Sequence, residues 1–248
     1  MNEEQKIENP QSPACFLPHV IGCLSFFNAD NLEIMRGFAD NEFDLAIVDP
    51  PYGINHSEIA GKQSGTKYGN AAAAKRQYTV KDWDKQIPPP EYFVELFRVS
   101  KNQIVWGANY MTEHLPPSMG WVFWDKDNGT NGFSDGELAF TSFDKGLRKV
   151  KITWNGMIQY DMKNKEDRIH PTQKPIKLYE WIIANYAKPN DKILDTHLGS
   201  GSIAIAVEKT NRLDKMNLQF VGIEIDKEYF EKALNRIEQY CRQGTLSF

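Results

Sequence analysis

The sequence predicts an α/β fold built on a mostly parallel sheet, and three stretches carry that prediction. The apolar run Leu45-Ala46-Ile47-Val48 ends in Asp49-Pro50-Pro51-Tyr52. Lys192-Ile193-Leu194-Asp195 leads through a glycine-containing turn, Gly199 to Gly201, into a helix-forming stretch. Phe220-Val221-Gly222-Ile223-Glu224-Ile225-Asp226 is a second apolar strand that ends in acid. Strand ends followed by turns and helices are where open α/β sheets bind ligands. At 248 residues and 41% hydrophobic content the chain fits one large domain, or one domain with small inserts.

In chain order, Ile21 to Asn28 reads as a strand, Leu32 to Phe38 as a short helix, and Phe43 to Val48 as the strand before Asp49. Residues 54–90 hold Gly61, Gly65, Gly69, an alanine run from Ala71 to Ala74, and Pro88-Pro89-Pro90. That length predicts a functional or mobile loop, with a helical turn at the alanines. Tyr92 to Val99 puts Phe93, Leu96 and Phe97 on one helical face. Gln103 to Gly107, Trp121 to Trp124 and Leu138 to Phe143 read as strands, and Val150 to Trp154 alternates as an exposed strand does. Tyr179 to Tyr186 is a helix led in by Pro175 and ended by Pro189-Asn190. Ile203 begins the next helix, with Ala204 and Ala206 as good formers, and Tyr229 to Tyr240 is the last.

The bulk numbers exclude some classes. No apolar stretch reaches membrane-spanning length, and Met1 to Pro13 lacks a signal peptide's apolar segment, so the expectation is a cytoplasmic protein. Cys15, Cys23 and Cys241 form neither metal spacing nor a disulfide pattern, and no metal site is expected. The net charge of −4 is unevenly spread. Residues 53–87 carry six basic against three acidic side chains, including Lys62, Lys67, Lys75 and Arg76. Residues 144–177 carry nine against four, including Arg148, Lys149, Lys151 and Lys163. For each segment alone, a solvated loop is the plainer alternative. Together, flanking one site, they predict a face for DNA.

The chemistry of the motifs follows from their atoms. Neither Pro50 nor Pro51 has an N–H, so the backbone behind Asp49 offers only acceptors. Asp49 and the Pro50 carbonyl together suit the two hydrogens of an amino group, and Tyr52 adds a flat face for a ring. The plainer alternative is that two prolines simply end a strand. The turn Thr196-His197-Leu198-Gly199-Ser200-Gly201-Ser202 brings backbone N–H groups and a helix N-terminus toward a ligand. It lacks the third glycine of the dinucleotide fingerprint. Glu224 stands where a carboxylate would receive ribose hydroxyls, and Asp226 reads as a helix cap.

Four motifs in order resemble the amino-group DNA methyltransferases that use S-adenosylmethionine. They are Asp49-Pro50-Pro51-Tyr52, His170-Pro171-Thr172-Gln173-Lys174-Pro175, the turn from Asp195 to Ser202, and Val221 to Asp226. The resemblance covers most of the chain. It implies a Rossmann-like fold in permuted order, catalytic motif before cofactor motif, with one reversed strand at the sheet edge. Ala139-Phe140-Thr141 and Val122-Phe123-Trp124 are expected around that edge. The resemblance also implies that Asp30, in Asn28-Ala29-Asp30, lies near the cofactor adenine. The family usually has Phe where this chain has His197, so the ring gains a polar edge.

On this resemblance the expected reaction is methyl transfer to the N6 amino group of adenine in duplex DNA, on a flipped-out base. Asp49, Pro50, Pro51 and Tyr52 would form the catalytic turn. Asp30, Lys174, Asp195, His197, Gly199, Ser200, Gly201, Ser202 and Glu224 would bind cofactor. Lys174 would reach the cofactor or a phosphate, or would be a solvated lysine before its helix. The inserts 54–90 and about 144–170 would serve as a DNA-side loop and a small target-recognition region. Partners implied are DNA, a second copy of the chain and a separate restriction endonuclease. Cytosine-N4 transfer is the nearest alternative. A catalytically silent nucleic-acid-binding domain of the same fold, and a nicotinamide-dependent oxidoreductase suggested by the glycine turn and Glu224, are the others.

Overall fold

A computed structural model of the protein describes residues 16–54, 84–129, 134–155 and 158–245. In chain order its elements are β1 (His19–Ile21), β2 (Leu24–Phe27), α1 (Asn31–Arg36), β3 (Leu45–Val48), α2 (Pro90–Val99), β4 (Gln103–Trp106), β5 (Trp121–Asp125) and β6 (Gly136–Thr141). There follow β7 (Arg148–Lys151), β8 (Trp154–Asn155), β9 (Ile158–Gln159), α3 (Ile176–Tyr186), β10 (Lys192–Asp195), α4 (Ser202–Asp214), β11 (Gln219–Ile223) and α5 (Lys227–Thr245). Nine strands make one sheet in the order β1-β2-β11-β10-β3-β4-β6-β5-β7, and β8 with β9 forms a separate ribbon.

Strands β2, β11, β10, β3 and β4 run parallel. All four residues of β3 are buried because the sheet is covered on both faces. Leu45 and Ile47 pack with Leu178, Ile182 and Ile205 of helices α3 and α4. Ala46 and Val48 pack with Ile34, Met35, Phe93 and Leu96 of α1 and α2. Side chains alternate between faces along a strand, so one run of four feeds two cores. Burying each large aliphatic or aromatic side chain stabilises by roughly 1.5–3 kcal/mol, which holds the strand ends in place.

The topology fixes the site. From β10 the chain crosses through α4 to β11 on one side, and from β3 it crosses through α2 to β4 on the other. The crossovers diverge between the adjacent strands β10 and β3, and an open sheet has its binding crevice at such a point.

Three expectations change. The strand expected over Ile21–Asn28 is two strands, an antiparallel hairpin in which Ile21 pairs with Leu24. Gly22 takes φ +59°, the left-handed conformation a two-residue hairpin turn requires and glycine adopts freely. The reversed strand β6 is not at the edge. It lies antiparallel between β4 and β5, with β7 outside them, and β1 is reversed at the opposite edge. The stretch after residue 144 is partly integral to the main sheet: β7 pairs with β5, and Val150, Ile152 and Trp154 are buried. Its alternation is that of an edge strand with one face inward. No helix among the described residues is long and apolar enough to cross a membrane.

Candidate active site

Asp49 leaves the end of β3 and meets a buried charge cluster. Its Oδ1 accepts from the Tyr52 hydroxyl at 2.7 Å and from the Lys174 ammonium at 2.5 Å. Lys174 also contacts Glu137 Oε2 and the Tyr52 oxygen, each at 3.0 Å. Glu137 Oε1 takes a second ammonium, Lys126, at 2.5 Å. The Tyr52 oxygen lies 3.2 Å from Glu137, but its one hydrogen is better used on the nearer Asp49. Two carboxylates and two ammoniums thus balance. That balance matters because the Lys174 side chain is only 3% exposed, and an unpaired charge at such depth costs several kcal/mol.

Burial pushes the Asp49 carboxyl up, Lys174 draws it back, and the Glu137 charge pushes it up again, leaving it raised. Burial also raises Glu137, but Lys174 and Lys126 outweigh it and hold that group at about 2. Burial lowers Lys174, while Asp49 and Glu137 raise it further, so it stays an ammonium. Tyr52 is buried among carboxylates and stays a neutral phenol.

The backbone of the turn is held separately. Buried Asp84 accepts the N–H groups of Tyr52 at 2.9 Å and Gly53 at 3.1 Å on one oxygen. The Tyr52 ring stacks on Tyr110 at 5.3 Å between centroids and 16° between planes. Gly107, at φ +65°, lets that ring in: any Cβ there would lie inside the Tyr52 ring's van der Waals envelope.

Beside it, the turn after β10 is made from backbone. Gly199 N–H donates to Glu224 Oε2 at 2.8 Å, and Asp226 N–H donates to Glu224 Oε1 at 2.9 Å. Glu224 therefore ties the two strand ends together. Gly201 takes φ +70° just before α4, where a Cβ would meet Ile237 at 2.8 Å. Asp195 is buried under the turn and accepts the His197 N–H at 3.0 Å. Burial, with the charges of Asp49 and Glu224, raises its carboxyl to about 8 despite that bond. Burial lowers His197 to about 3, so its ring is neutral. Asn31 Nδ2 is a donor 3.1 Å from His197 Nε2, which makes Nε2 the acceptor. Nδ1 then carries the hydrogen and donates to Thr196 Oγ1 at 2.9 Å.

One cavity of about 990 Å³ joins the two turns. Asp30, Asp49, Pro50, Pro51, Tyr52, Lys174, His197, Gly199, Ser200, Ser202 and Glu224 line it, whereas Asp195 and Gly201 support it from below. Asp30 also caps α1, accepting Glu33 N–H at 3.1 Å. Asp226 caps α5 through Tyr229 N–H at 3.1 Å, as the sequence predicts.

Lys174 is buried, which excludes the alternative of a solvated lysine before its helix, and it lines the cavity shared with the turn after β10. The loop before α3 aims it at the end of β3, where Asp49 and Glu137 supply its countercharges. Lys62, Lys67, Lys75 and Arg76 lie outside the described residues. Arg148, Lys149, Lys151 and Lys163 are exposed and do not line the cavity. Lys149 and Lys151 pair with Asp125 and Asp127, each at 2.8 Å, so part of the expected positive face is locally compensated.

Sequence reasoning missed Glu137, Lys126, Asp84 and Tyr110. Glu137 had a signal: a carboxylate opening the otherwise apolar run Leu138-Ala139-Phe140. Asp84 and Tyr110 are brought in by tertiary packing and carry no local mark.

The comparisons with known proteins bear on the family and the fold. A family model described as DNA methylase matches residues 100–235, more than half of the chain. The type II methyltransferase M.HpaI of Haemophilus parainfluenzae is 27% identical over 244 residues, spanning 84% of this chain and 72% of that protein. The structure of the M1.HpyAVI–SAM complex is similar at a TM-score of 0.50 and 22% identity, covering 86% of this chain and 99% of that one. The structure of the cytosine-N4-specific PvuII DNA methyltransferase is similar at 0.50 and 14% identity, covering 88% and 90%. These two likenesses speak for the fold.

Proposed function

Given that the chain belongs to the DNA methylase family of the N6/N4 amino type, we propose that it transfers a methyl group from S-adenosylmethionine to the N6 amino group of adenine within a specific sequence of duplex DNA. One observation carries the reading: Asp49, at the end of β3, takes N–H and O–H donors on Oδ1 beside a proline carbonyl, next to a ligand turn on the adjacent strand.

The donor set fits the cofactor. In this reading Glu224, in the cavity wall, accepts ribose hydroxyls, Gly199 and Gly201 allow close backbone approach, and Asp30 and His197 line the adenine end. Asp195 is buried beside the turn with its carboxyl raised to about 8, which suits a ligand that brings positive charge. When bound, S-adenosylmethionine supplies an activated methyl group on sulfonium, so the protein needs no covalent nucleophile.

The residues of the chain do the rest. The adenine amino group is a poor nucleophile because its lone pair is shared with the ring. Asp49 and the Pro50 carbonyl accept its two hydrogens and favour the tetrahedral nitrogen of the transition state, where positive charge develops. Asp49 orients and stabilises; it does not act as a strong base. Tyr52 supplies the stacking face, and half-exposed Tyr110 is the ring that yields when a flipped base enters. Arg148, Lys149, Lys151 and Lys163, with Lys62, Lys67, Lys75 and Arg76, meet DNA phosphates. A second copy of the chain and a separate restriction endonuclease belong to the same reading as partners.

The choice of adenine rests on the Asp form of the tetrapeptide. Cytosine-N4 transfer is the second reading, because a cytosine-N4-specific enzyme shares the fold to the same degree. The test is to incubate duplex DNA of varied sequence with the protein and labelled cofactor, then digest to nucleosides. N6-methyladenine is expected. N4-methylcytosine would establish the second reading, and unlabelled DNA would defeat both.

A further inference from the structure

The charge cluster holds a carboxylate that neither turn supplies. Glu137 comes from the reversed strand β6, reaches the catalytic turn only through Lys174 and Tyr52, and binds a second ammonium on its other oxygen. We propose that Glu137 is a positioning residue for methyl transfer: it shares the Lys174 ammonium with Asp49, leaving Asp49 enough acceptor strength to hold the amino group of the target base. This rests on the methyltransfer reading given above.

The geometry carries the argument. Lys174 lies 2.5 Å from Asp49 and 3.0 Å from Glu137. With Asp49 as its sole carboxylate partner, the full charge of a buried ammonium would fall on Oδ1, the oxygen that also accepts from Tyr52. A carboxylate whose lone pairs are drawn to an ammonium is a poorer acceptor for anything else. Glu137 divides that charge, and Lys174, with Lys126 adding to it, keeps Glu137 ionised so that it continues to do so. Electrostatics agree in sign, since the Glu137 charge pushes the Asp49 carboxyl upward.

Other groups face Asp49 from each packed element. Tyr52 lies on its own turn, Tyr92 on α2 and Tyr179 on α3, and all three stay neutral phenols. Lys174 precedes α3. Asp195, at the end of β10, adds like charge only as pH rises through about 8. At neutral pH and below, Glu137 is therefore the carboxylate that offsets Lys174.

The direct test follows the Asp49 carboxyl by carbon-13 NMR in carboxyl-labelled protein, with the signal assigned by its loss in Asp49→Asn. Glu137→Gln should lower the Asp49 titration midpoint by roughly one unit, and Glu137→Asp should restore it. In single-turnover methyl transfer at saturating cofactor, Glu137→Gln should be slower by about tenfold, with its acid limb moved to lower pH and cofactor affinity unchanged. An unmoved Asp49 midpoint, or a slowed variant with the wild-type acid limb, overturns the proposal. Should Glu137→Gln fail to fold, Lys126→Met removes the second ammonium and should raise the midpoint; no rise overturns the proposal as well. Wild type that labels no DNA fails the methyltransfer reading itself and this inference with it, whereas labelled DNA with an unmoved midpoint fails this inference alone.

Discussion

The ends of β3 and β10 are neighbours in one sheet, yet they handle charge in opposite ways. At the end of β3, Asp49 sits in a closed set of countercharges with Lys174, Glu137 and Lys126. At the end of β10, Asp195 accepts the His197 backbone N–H, and burial raises its carboxyl to about 8. The side with its charges balanced presents a fixed acceptor. In the proposed reading, a ligand that brings its own positive charge completes the other side, and the same strand geometry serves a neutral amine at one end and a cation at the other, according to whether a lysine is built in.

Removing the acceptor should have the largest effect. Asp49→Ala is expected to lower the single-turnover rate by about a hundredfold or more, the scale for losing one preorganised polar contact to the transition state, with cofactor affinity near wild type. Equal loss of both would mean that the two strand ends do not act separately. Lys174→Ala leaves two carboxylates facing each other in a buried site. Its unfolding free energy in urea should fall by about 3–5 kcal/mol, and a surface-like change below about 1 kcal/mol would show that the cluster is well solvated.

Glu224→Ala should weaken binding of S-adenosylmethionine by roughly 1–3 kcal/mol in calorimetry, from lost ribose contacts and a loosened Gly199 turn. Unchanged affinity would remove Glu224 from the ligand site.

Asp195 sharpens the comparison through pH. Its folded value of about 8 lies above the unfolded value of about 3.9, so the folded state keeps a proton that the unfolded chain gives up. Stability of the ligand-free protein from this group is full below about pH 4 and declines as pH rises to about 8. Asp195→Asn should remove that decline. Its melting temperature should match wild type near pH 4 and exceed it increasingly toward pH 8. A constant gap across that range would contradict the raised value.

The smallest effect is expected at the surface. Charge reversal at Arg148, Lys149 and Lys151 should weaken DNA binding and flatten its salt dependence. Because Lys149 and Lys151 are already paired, each contributes less than an unpaired lysine would. An unchanged salt slope would make β7 a solvated edge only.

Local pattern revealed much of the architecture, for identifiable reasons. Strands β3, β10 and β11 are short, largely apolar runs with turn chemistry after them, and Asp49, the turn holding Gly199 and Gly201, and Glu224 follow in order. Such features are written in neighbouring residues. The hairpin at Gly22 escaped because Ile21 to Asn28 stays apolar on both sides of a two-residue turn. The interior position of β6 escaped because sheet order depends on crossovers, not on composition. The ion pairs of Lys174 escaped because its countercharges come from Asp49 and Glu137, far away in the chain. Long-range charge pairing leaves no periodic trace, and this limited the reading of the catalytic side more than the ligand turn.

The division of labour between the turn after β3 and the turn after β10, which Glu224 anchors from the end of β11, is tested most directly by crossing Asp49→Ala and Glu224→Ala with two readouts, cofactor binding and single-turnover methyl transfer to duplex DNA at saturating cofactor. Asp49→Ala should bind cofactor normally and transfer almost no methyl. Glu224→Ala should bind weakly and recover most of its transfer once cofactor saturates. If Asp49→Ala transfers methyl at near the wild-type rate, or if Glu224→Ala stays inactive with cofactor fully bound, the two ends do not divide the work as described.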